Sequence, residues 1–293
     1  MSLDNALLSL EGLSVGDAFG ELFFFLSPVV SALHDLPAGP WRWTDDTHMA
    51  LSIVEILREY GRIDQDALAR SFTKRFTMEP YRGYGGGAKK LLGRIASGDD
   101  WRTASVQLFG GGSYGNGAAM RAAPIGGFFS GDPERAAAEA RLSAMITHAH
   151  HEGQAGAMAI AAAAAIAGRP KKQTYRDFIR ETLAFVPGSL TRERIESSLS
   201  IPGHNLLEAV RKLGTGNNVS AQDTVPFCLW SAAHHLDDFE EAMWWTLRGL
   251  GDRDTTCAIV GGIVALSSRS VPLEWVHRRE PLPDEFSRSS GEK

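Results

Sequence analysis

Apolar residues recur every three to four positions along most of this chain, which is the period of a helix with one buried face. The clearest example follows Thr47 and consists of Met49, Ile53, Ile56 and Leu57. Other predicted helices are 64–76, 87–96, 117–128, 134–145, 152–167, 174–185, 204–213, 222–235, 238–248 and 255–267. Runs of alternating β-branched residues are scarce, and the apolar segment 23–30 fits either a short strand or a continuation of the first helix. The pattern therefore predicts an all-α protein.

The chain shows no boundary between domains before its C-terminal end. No low-complexity linker divides it, and no repeat of 20–50 residues is visible. We therefore expect one domain over residues 1–276. The segment 277–293 contains Pro281, Pro283 and a run of serines, so we expect it to form a flexible tail.

Composition excludes several classes of partner. The 30 Lys and Arg residues against 35 Asp and Glu residues give a formal charge of −5, which argues against a nucleic-acid surface or a polybasic membrane surface. The longest apolar stretch, 155–167, is shorter than the ~20 residues that span a bilayer. Asp4 and Glu11 interrupt any secretion signal. We expect a soluble, cytoplasmic protein.

The two cysteines, Cys228 and Cys257, are far apart and match no metal-binding or redox motif. We expect two buried thiols, which suits a reducing compartment.

Two short acidic motifs precede predicted helices: Thr44-Asp45-Asp46-Thr47, and Gly251-Asp252-Arg253-Asp254-Thr255-Thr256. Helix capping explains either motif alone, because Asp and Thr are favoured at helix starts. Capping does not require four carboxylates, whose mutual repulsion a cation would offset. Carboxylate and hydroxyl oxygens suit hard cations such as Mg²⁺, Mn²⁺ or Ca²⁺. If the two helix starts meet, they could hold two ions.

A glycine-rich segment, 110–117, precedes another predicted helix and contains Ser113 and Asn116. Backbone N–H groups in such a segment can bind an anion, although a flexible turn explains it equally well. The segment lacks the ending of a Walker A loop. Histidines concentrate at 148–151, where no matching Cys or His supports a zinc site. A structural role or a contact with ribose or phosphate remains open for His148.

In this order, the motifs resemble those of the ADP-ribosylglycohydrolase family. The matching segments are 16–20 (G-D-A-F-G), 44–47, 82–85 (R-G-Y-G), 112–117, 120–121, 147–148 and 251–255. Together they extend from residue 16 to about residue 265. The segments at 82–85 and 112–117 are most similar to the animal branch that removes ADP-ribose from serine. The resemblance implies a single orthogonal helical domain of the ADP-ribosylglycohydrolase type.

The resemblance also implies a dinuclear metal site with two Mg²⁺ ions, or Mn²⁺. Thr44, Asp45 and Asp46 would hold one ion, and Asp252 and Thr255 the other, with Asp254 between them. For the substrate, the resemblance places the diphosphate at 112–116, which comprises Gly112, Ser113, Tyr114, Gly115 and Asn116. His148 would lie beside the terminal ribose, and Phe109 would stack on the adenine.

The chain departs from the family pattern at one position. Several family members have a metal-reaching glutamate where this sequence has Phe24, and Glu21 lies about one helical turn earlier. Either Glu21 replaces that glutamate, or an aspartate such as Asp45, Asp46 or Asp254 serves as the base, or the activity is weakened.

The expected function is hydrolysis of the glycosidic bond between ADP-ribose and an acceptor, by a monomer acting on ADP-ribose conjugates or ADP-ribosylated protein. A phosphohydrolase with two metal ions, a non-catalytic ADP-ribose-binding module and purely structural capping remain as alternatives. The sequence does not identify the acceptor, for which serine, arginine, a nucleic-acid end and O-acetyl-ADP-ribose are candidates.

Overall fold

The computed structural model describes residues 1–25, 34–170 and 173–288. These ranges form fifteen α-helices and contain no β-strand, only two isolated β-bridges. The first eight helices are α1 (Leu3–Leu22), α2 (Asp45–Tyr60), α3 (Gln65–Met78), α4 (Gly86–Ala96), α5 (Trp101–Gln107), α6 (Ala123–Phe128), α7 (Pro133–Met145) and α8 (His151–Ala167). The others are α9 (Tyr175–Leu183), α10 (Leu190–Ser197), α11 (Leu206–Leu213), α12 (Ala221–His234), α13 (Phe239–Leu247), α14 (Arg253–Ser268) and α15 (Leu273–Arg278). The all-α prediction is confirmed.

Most predicted helices are present with ends within about two residues of their predicted positions. The segment 117–128 is the exception, because it divides into a 3₁₀ turn at Asn116–Ala118 and the short helix α6. The sequence pattern missed α5, α10 and α15, each of eight residues or fewer. Helix α1 ends at Leu22 and residues 23–25 form a turn, while the remainder of the segment 23–30 lies outside the described residues.

The alanine-rich stretch 155–167 lies within α8, where nearly every side chain is buried in the core. Small side chains allow neighbouring helices to pack closely around it. In the described ranges, no helix combines the length and the apolar character that crossing a membrane requires. Cys228 and Cys257 are also buried, and neither is in a disulfide, as expected.

A row of glycines brings α1 and α14 into contact at backbone distance. Gly12, Gly16 and Gly20 are spaced four residues apart, so they lie on one face of α1. A Cβ added at Gly16 would lie 2.1 Å from the carbonyl oxygen of Cys257, and one at Gly20 would lie 2.2 Å from that of Arg253. Only glycine permits so close an approach of the two backbones. We call the row formed by Gly12, Gly16 and Gly20 the glycine seam. It places the C-terminal end of α1 beside the N-terminal end of α14.

The described part of the segment 277–293, for which the sequence predicts a flexible tail, contacts the body of the protein. The backbone N–H of Glu280 donates to the Trp41 carbonyl at 2.7 Å, and the Glu280 carboxylate pairs with Arg82 through two hydrogen bonds of 2.7 and 2.9 Å. Leu282 and Phe286 are buried. These apolar and ionic contacts attach the segment to the body of the protein as far as the 3₁₀ turn at Asp284–Phe286. Residues 289–293 lie outside the described residues.

Candidate active site

One cavity of about 340 Å³ collects most of the predicted site residues. Its lining includes Asp45, Asp46, Phe109, Ser113, Gly115, Asn116, His148, Asp252, Asp254 and Thr255. The lining does not include Glu21, Thr44, Gly112 and Tyr114. The two acidic motifs, separated by about 200 residues, therefore meet at one site, as the sequence analysis required.

Asp17, in the G-D-A-F-G segment of α1, holds the start of α2 in place. Its carboxylate accepts hydrogen bonds from the backbone N–H and the hydroxyl of Thr44, both at 2.9 Å. It also accepts from the N–H and hydroxyl of Thr47, at 3.1 and 2.5 Å. These bonds satisfy donors at the α2 N-terminus that the helix cannot satisfy itself. Asp17 thus sets the position of the Asp45-Asp46 pair.

The hydroxyl of Thr44 has a structural role in this arrangement. It lies 2.9 Å from Asp17 Oδ1 and 3.2 Å from Asp46 Oδ2, and it accepts from the Asp46 N–H at 3.4 Å. As N-cap of α2, Thr44 is buried beneath the cavity lining. Its hydroxyl orients Asp46 by direct contact.

Asp252 is the N-cap of α14, and Asn116 holds its carboxylate. The Asn116 amide nitrogen donates to Asp252 Oδ2 at 2.7 Å and to the Thr224 hydroxyl at 3.0 Å. These bonds use both amide N–H donors of Asn116. The side chain of Asn116 thus positions an acidic residue, and its backbone N–H donates to the Val219 carbonyl at 3.3 Å, so these N–H groups are not free for the expected contact with a diphosphate.

The carboxylates at the junction of α1, α2 and α14 repel one another in a buried setting. Burial and the charge of Asp17 raise the pKa of Asp45 to about 7. Burial and the surrounding aspartates also raise the pKa of Asp46 and of Asp254 well above their ordinary range. The charge of Asp254 contributes to raising the pKa of Asp46, which shows that the two acidic motifs lie close enough for their charges to interact. The fold thus holds several carboxylates of like charge close together, and a bound cation would offset their repulsion.

The side-chain chemistry fits a hard divalent cation. Asp46 Oδ1 and Asp254 Oδ1 are buried and have no hydrogen-bond partner among the described residues. Such oxygens are costly unless a ligand satisfies them. With Asp45, Asp252 and Thr255 they form an all-oxygen donor set of the type that Mg²⁺ prefers. Within the described ranges, no three Asp, Glu, His or Cys side chains are already arranged so that they could hold a metal ion.

Glu21 lies beside this cluster, whereas Phe24 does not belong to it. Glu21 is one turn after Asp17 on α1 and is half-buried, and its pKa is raised by burial and then by the charges of Asp17 and Asp252. Phe24 follows the end of α1 and is 45% exposed, with the Arg253 guanidinium 5.2 Å from its ring centroid. The carboxylate at this end of α1 is therefore that of Glu21.

Part of the cavity lining is apolar and glycine-rich. Phe109 lines it with a side chain that is 71% exposed, and its backbone has a φ of 56°. A Cβ at Gly87 would lie 2.9 Å from the Phe109 ring, so the glycine allows the ring to lie on the start of α4. This geometry presents an exposed aromatic ring to the cavity.

Two residues of the segment 112–116 lie away from the cavity. Gly112 has a φ of +89° and packs against the backbone of Ala149 and His150. The Tyr114 ring contacts the edge of His150, with centroids 5.4 Å apart. These two residues shape the turn, while Ser113 and Gly115 line the cavity itself.

The segment 82–85 supports the acidic cluster from outside. Gly83 has a φ of +90°, and a Cβ there would lie 3.3 Å from Asp45 Oδ1. The Tyr84 hydroxyl is 3.0 Å from His48 Nδ1, and both side chains are buried. The Arg82 guanidinium lies 3.6 Å from the Trp43 ring centroid. This segment thereby closes one wall of the cavity.

The sequence analysis assigned no role to Asp17, Arg121 or Val219. Asp17 had a detectable signal, since it is an acidic residue inside the otherwise apolar, glycine-bounded segment 16–20 of α1. Val219 lines the cavity with a φ of 49°, which is rare for a β-branched residue. It follows the turn-forming residues 214–218, whose composition predicts a loop and gives no indication of what the loop contacts.

The fold and the cavity define an all-helical protein with an acidic site at two apposed helix starts. Residues 2–289 match the family model described as ADP-ribosylglycohydrolase. The chain therefore belongs to the ADP-ribosylglycohydrolase family, as the motifs indicated.

Relatives cover most of the chain. It is 30% identical to an uncharacterized protein of Archaeoglobus fulgidus, over 92% of this chain and 85% of that one. It is 28% identical to ADP-ribosylhydrolase ARH3 of Gallus gallus, over 91% and 86%. It is 26% identical to ADP-ribosylarginine hydrolase Tri1 of Serratia proteamaculans, over 94% and 75%.

A solved structure described as an ADP-ribosylglycohydrolase-related protein complex has the same fold. It superposes with a TM-score of 0.61 at 22% identity, and the match covers 95% of this chain and 93% of that one.

Proposed function

We propose that this protein hydrolyses the glycosidic bond between ADP-ribose and an acceptor, releasing ADP-ribose, and that it requires Mg²⁺ or Mn²⁺. The observation that carries the proposal is the meeting of Asp45, Asp46, Asp252 and Asp254 in one cavity whose lining also includes Phe109. ARH3 and Tri1, which act on ADP-ribosyl groups by name, support the substrate class.

The lining of the cavity offers different contacts to the different parts of ADP-ribose. A terminal ribose at the acidic end and an adenine against Phe109 would place the diphosphate between them, beside Ser113 and Gly115. The exposed Phe109 face can stack on a base, and such stacking contributes about 1–3 kcal/mol. The substrate would thus be held at both ends, which fixes its anomeric carbon at the carboxylates.

The metal-holding residues would be Thr44, Asp45, Asp46, Asp252, Asp254 and Thr255. When bound, divalent cations would supply charge neutralisation and orientation of the ribose hydroxyls. The carboxylates would stabilise the oxocarbenium-like charge that develops as the glycosidic bond breaks. A carboxylate at the rim would accept the proton of the attacking water, and Glu21 is in place for this role.

The proposal is tested by incubating the protein with ADP-ribose linked to serine, to arginine, to a phosphorylated nucleic-acid end and to acetate. Each conjugate is tested with Mg²⁺ and with excess EDTA, and free ADP-ribose is measured. We expect release from at least one conjugate with Mg²⁺ and none with EDTA. The conjugates that release ADP-ribose also identify the acceptor.

Product analysis separates the proposal from its rivals. AMP and ribose phosphate as products would instead indicate cleavage of the pyrophosphate. Tight binding of ADP-ribose in calorimetry without release from any conjugate would indicate a binding module, the alternative that Phe24 at the usual glutamate position keeps open. Full release in excess EDTA would contradict the metal requirement.

Replacing Glu21 with glutamine tests the base. Since general base catalysis contributes about 10²–10⁴-fold, we expect kcat of Glu21→Gln to fall by about 10²-fold. The dissociation constant for ADP-ribose should change little, because a general base contacts the attacking water and not ADP-ribose itself. Glu11→Gln, on the same helix and far from the cluster, is the matched control. An unchanged kcat in Glu21→Gln would assign the base to an aspartate of the cluster.

A further inference from the structure

The guanidinium of Arg121 is fully buried at the wall of the cavity. In the described part of the chain its hydrogen bonds go to neutral acceptors: the Gly117 carbonyl at 2.7 Å, the Ser143 carbonyl at 3.2 Å, the Thr147 hydroxyl at 2.8 Å and the Met49 sulfur at 3.7 Å. The Phe72 ring lies 4.6 Å from it. Burying a cation among neutral acceptors costs free energy, which indicates that the position of this guanidinium has a specific role.

The contact with Thr147 fixes the direction of the next hydrogen bond. A guanidinium has no acceptor atom, so the Thr147 hydroxyl oxygen must accept from Arg121. The hydroxyl proton then needs an acceptor, and His148 Nδ1 lies 2.8 Å away. No other acceptor for this proton is found among the described residues. Nδ1 of His148 is therefore unprotonated, and the ring proton is on Nε2.

The surroundings of His148 leave its Nε2 open to the cavity. A Cβ at Gly115 or at Gly117 would lie 3.2 Å from Nε2, so the two glycines leave room at this edge of the ring. His148 lines the cavity, and within the described residues its Nε2 makes no hydrogen bond to the protein. Burial, with the charge of Arg121, lowers the pKa of His148 to about 3, so the ring stays neutral.

We propose that Arg121 and Thr147 are positioning residues that fix His148 as a neutral Nε2–H donor, aimed at an oxygen acceptor of the bound substrate. His148 then orients the substrate through a donated hydrogen bond and does not accept the proton of the attacking water. The identity of the acceptor, an oxygen of ADP-ribose, rests on the proposed function. The tautomer itself does not, because the protein alone determines it.

The tautomer can be measured in the ligand-free protein by ¹⁵N-detected NMR of the histidine ring. We expect His148 in the wild type to show a protonated Nε2 and an unprotonated Nδ1. Thr147→Val removes the hydroxyl with little change of shape, so we expect the Nδ1 signal to shift toward the protonated form. Thr147→Ser keeps the hydroxyl and should restore the wild-type spectrum. The matched control is Thr182→Val, at a buried threonine of α9 whose hydroxyl donates to the Phe178 carbonyl.

Calorimetry with ADP-ribose then connects the tautomer to the substrate. We expect the dissociation constant to rise about tenfold in Thr147→Val, since one hydrogen bond becomes misaligned, and to stay near the wild-type value in Thr147→Ser and Thr182→Val. A wild-type His148 protonated on Nδ1, or a Thr147→Val protein with unchanged spectrum and affinity, would overturn the inference. The expected spectra in a wild-type protein that binds no ADP-ribose would overturn the proposed function instead, and leave the positioning role of Thr147 supported.

Discussion

Asp45→Asn and Asp254→Asn are each expected to lose turnover by about 10²–10³-fold while remaining folded. Asp45 and Asp254 line the cavity from opposite motifs, and the Oδ1 of Asp254 is buried without a partner. An amide of the same shape removes the charge that would stabilise a cation and the reacting sugar. Steady-state kinetics on the conjugate identified by the panel checks the loss.

The same Asp45→Asn substitution should stabilise the protein in EDTA, with a defined pH dependence. The pKa of Asp45 is raised from its ordinary value of 3.8 to about 7 in the folded protein. A raised carboxyl pKa destabilises the fold once the group is charged, so the penalty is complete above about pH 7. It diminishes as the pH falls toward 3.8, where the carboxyl is protonated in both states. We therefore expect a higher Tm for the variant above pH 7 that converges with the wild type at low pH.

Measuring the difference from wild type is essential, because buried histidines act in the opposite direction. The pKa values of His48 and His148 are lowered by burial, to about 4 and about 3, so both groups destabilise the fold increasingly as the pH falls below 6.5. They are present in both proteins and cancel in the comparison. Asp132→Asn, a cap that asparagine can replace, is the control for charge alone. A Tm difference that is independent of pH would contradict the electrostatic origin.

Gly16→Val is expected to destabilise the fold by at least about 3 kcal/mol, at the upper end of the range for overpacking. A Cβ at this position would lie 2.1 Å from the carbonyl oxygen of Cys257, so α1 and α14 would have to separate. Urea denaturation followed by circular dichroism checks the effect. Gly93→Val in α4 is the matched control, since nothing lies within 4 Å of a Cβ there.

A milder variant keeps this prediction measurable if Gly16→Val does not fold. Gly16→Ala places the same first atom against Cys257 with less bulk, so we expect a soluble but destabilised protein. Because the glycine seam positions Asp17 and Asp254, the variant should also lose activity in proportion to the displacement of α1 from α14. Stability of Gly16→Val equal to that of Gly93→Val would show that the seam is not required.

The sequence predicted the chemistry of the site better than the position of each group. Asp46, Ser113 and His148 belong to motifs that the sequence singled out, and all three line the one cavity. Gly112 and Tyr114 belong to the same segment but face away from it, since the turn at 112–116 directs alternate residues to different sides. The assignment of Asn116 changed because its partner, Asp252, is 136 residues away.

The sequence by itself determined the helices, most of their ends and the oxygen-rich character of the site. These follow from apolar periodicity, capping residues and side-chain chemistry, all of which are local. Only the tertiary structure decided that Asp17 supports the start of α2, that Asn116 holds Asp252, and that Thr147 connects Arg121 to His148. The physical reason is that each of these bonds depends on how closely distant helices approach, and that distance is set by the glycine seam and the buried core around it.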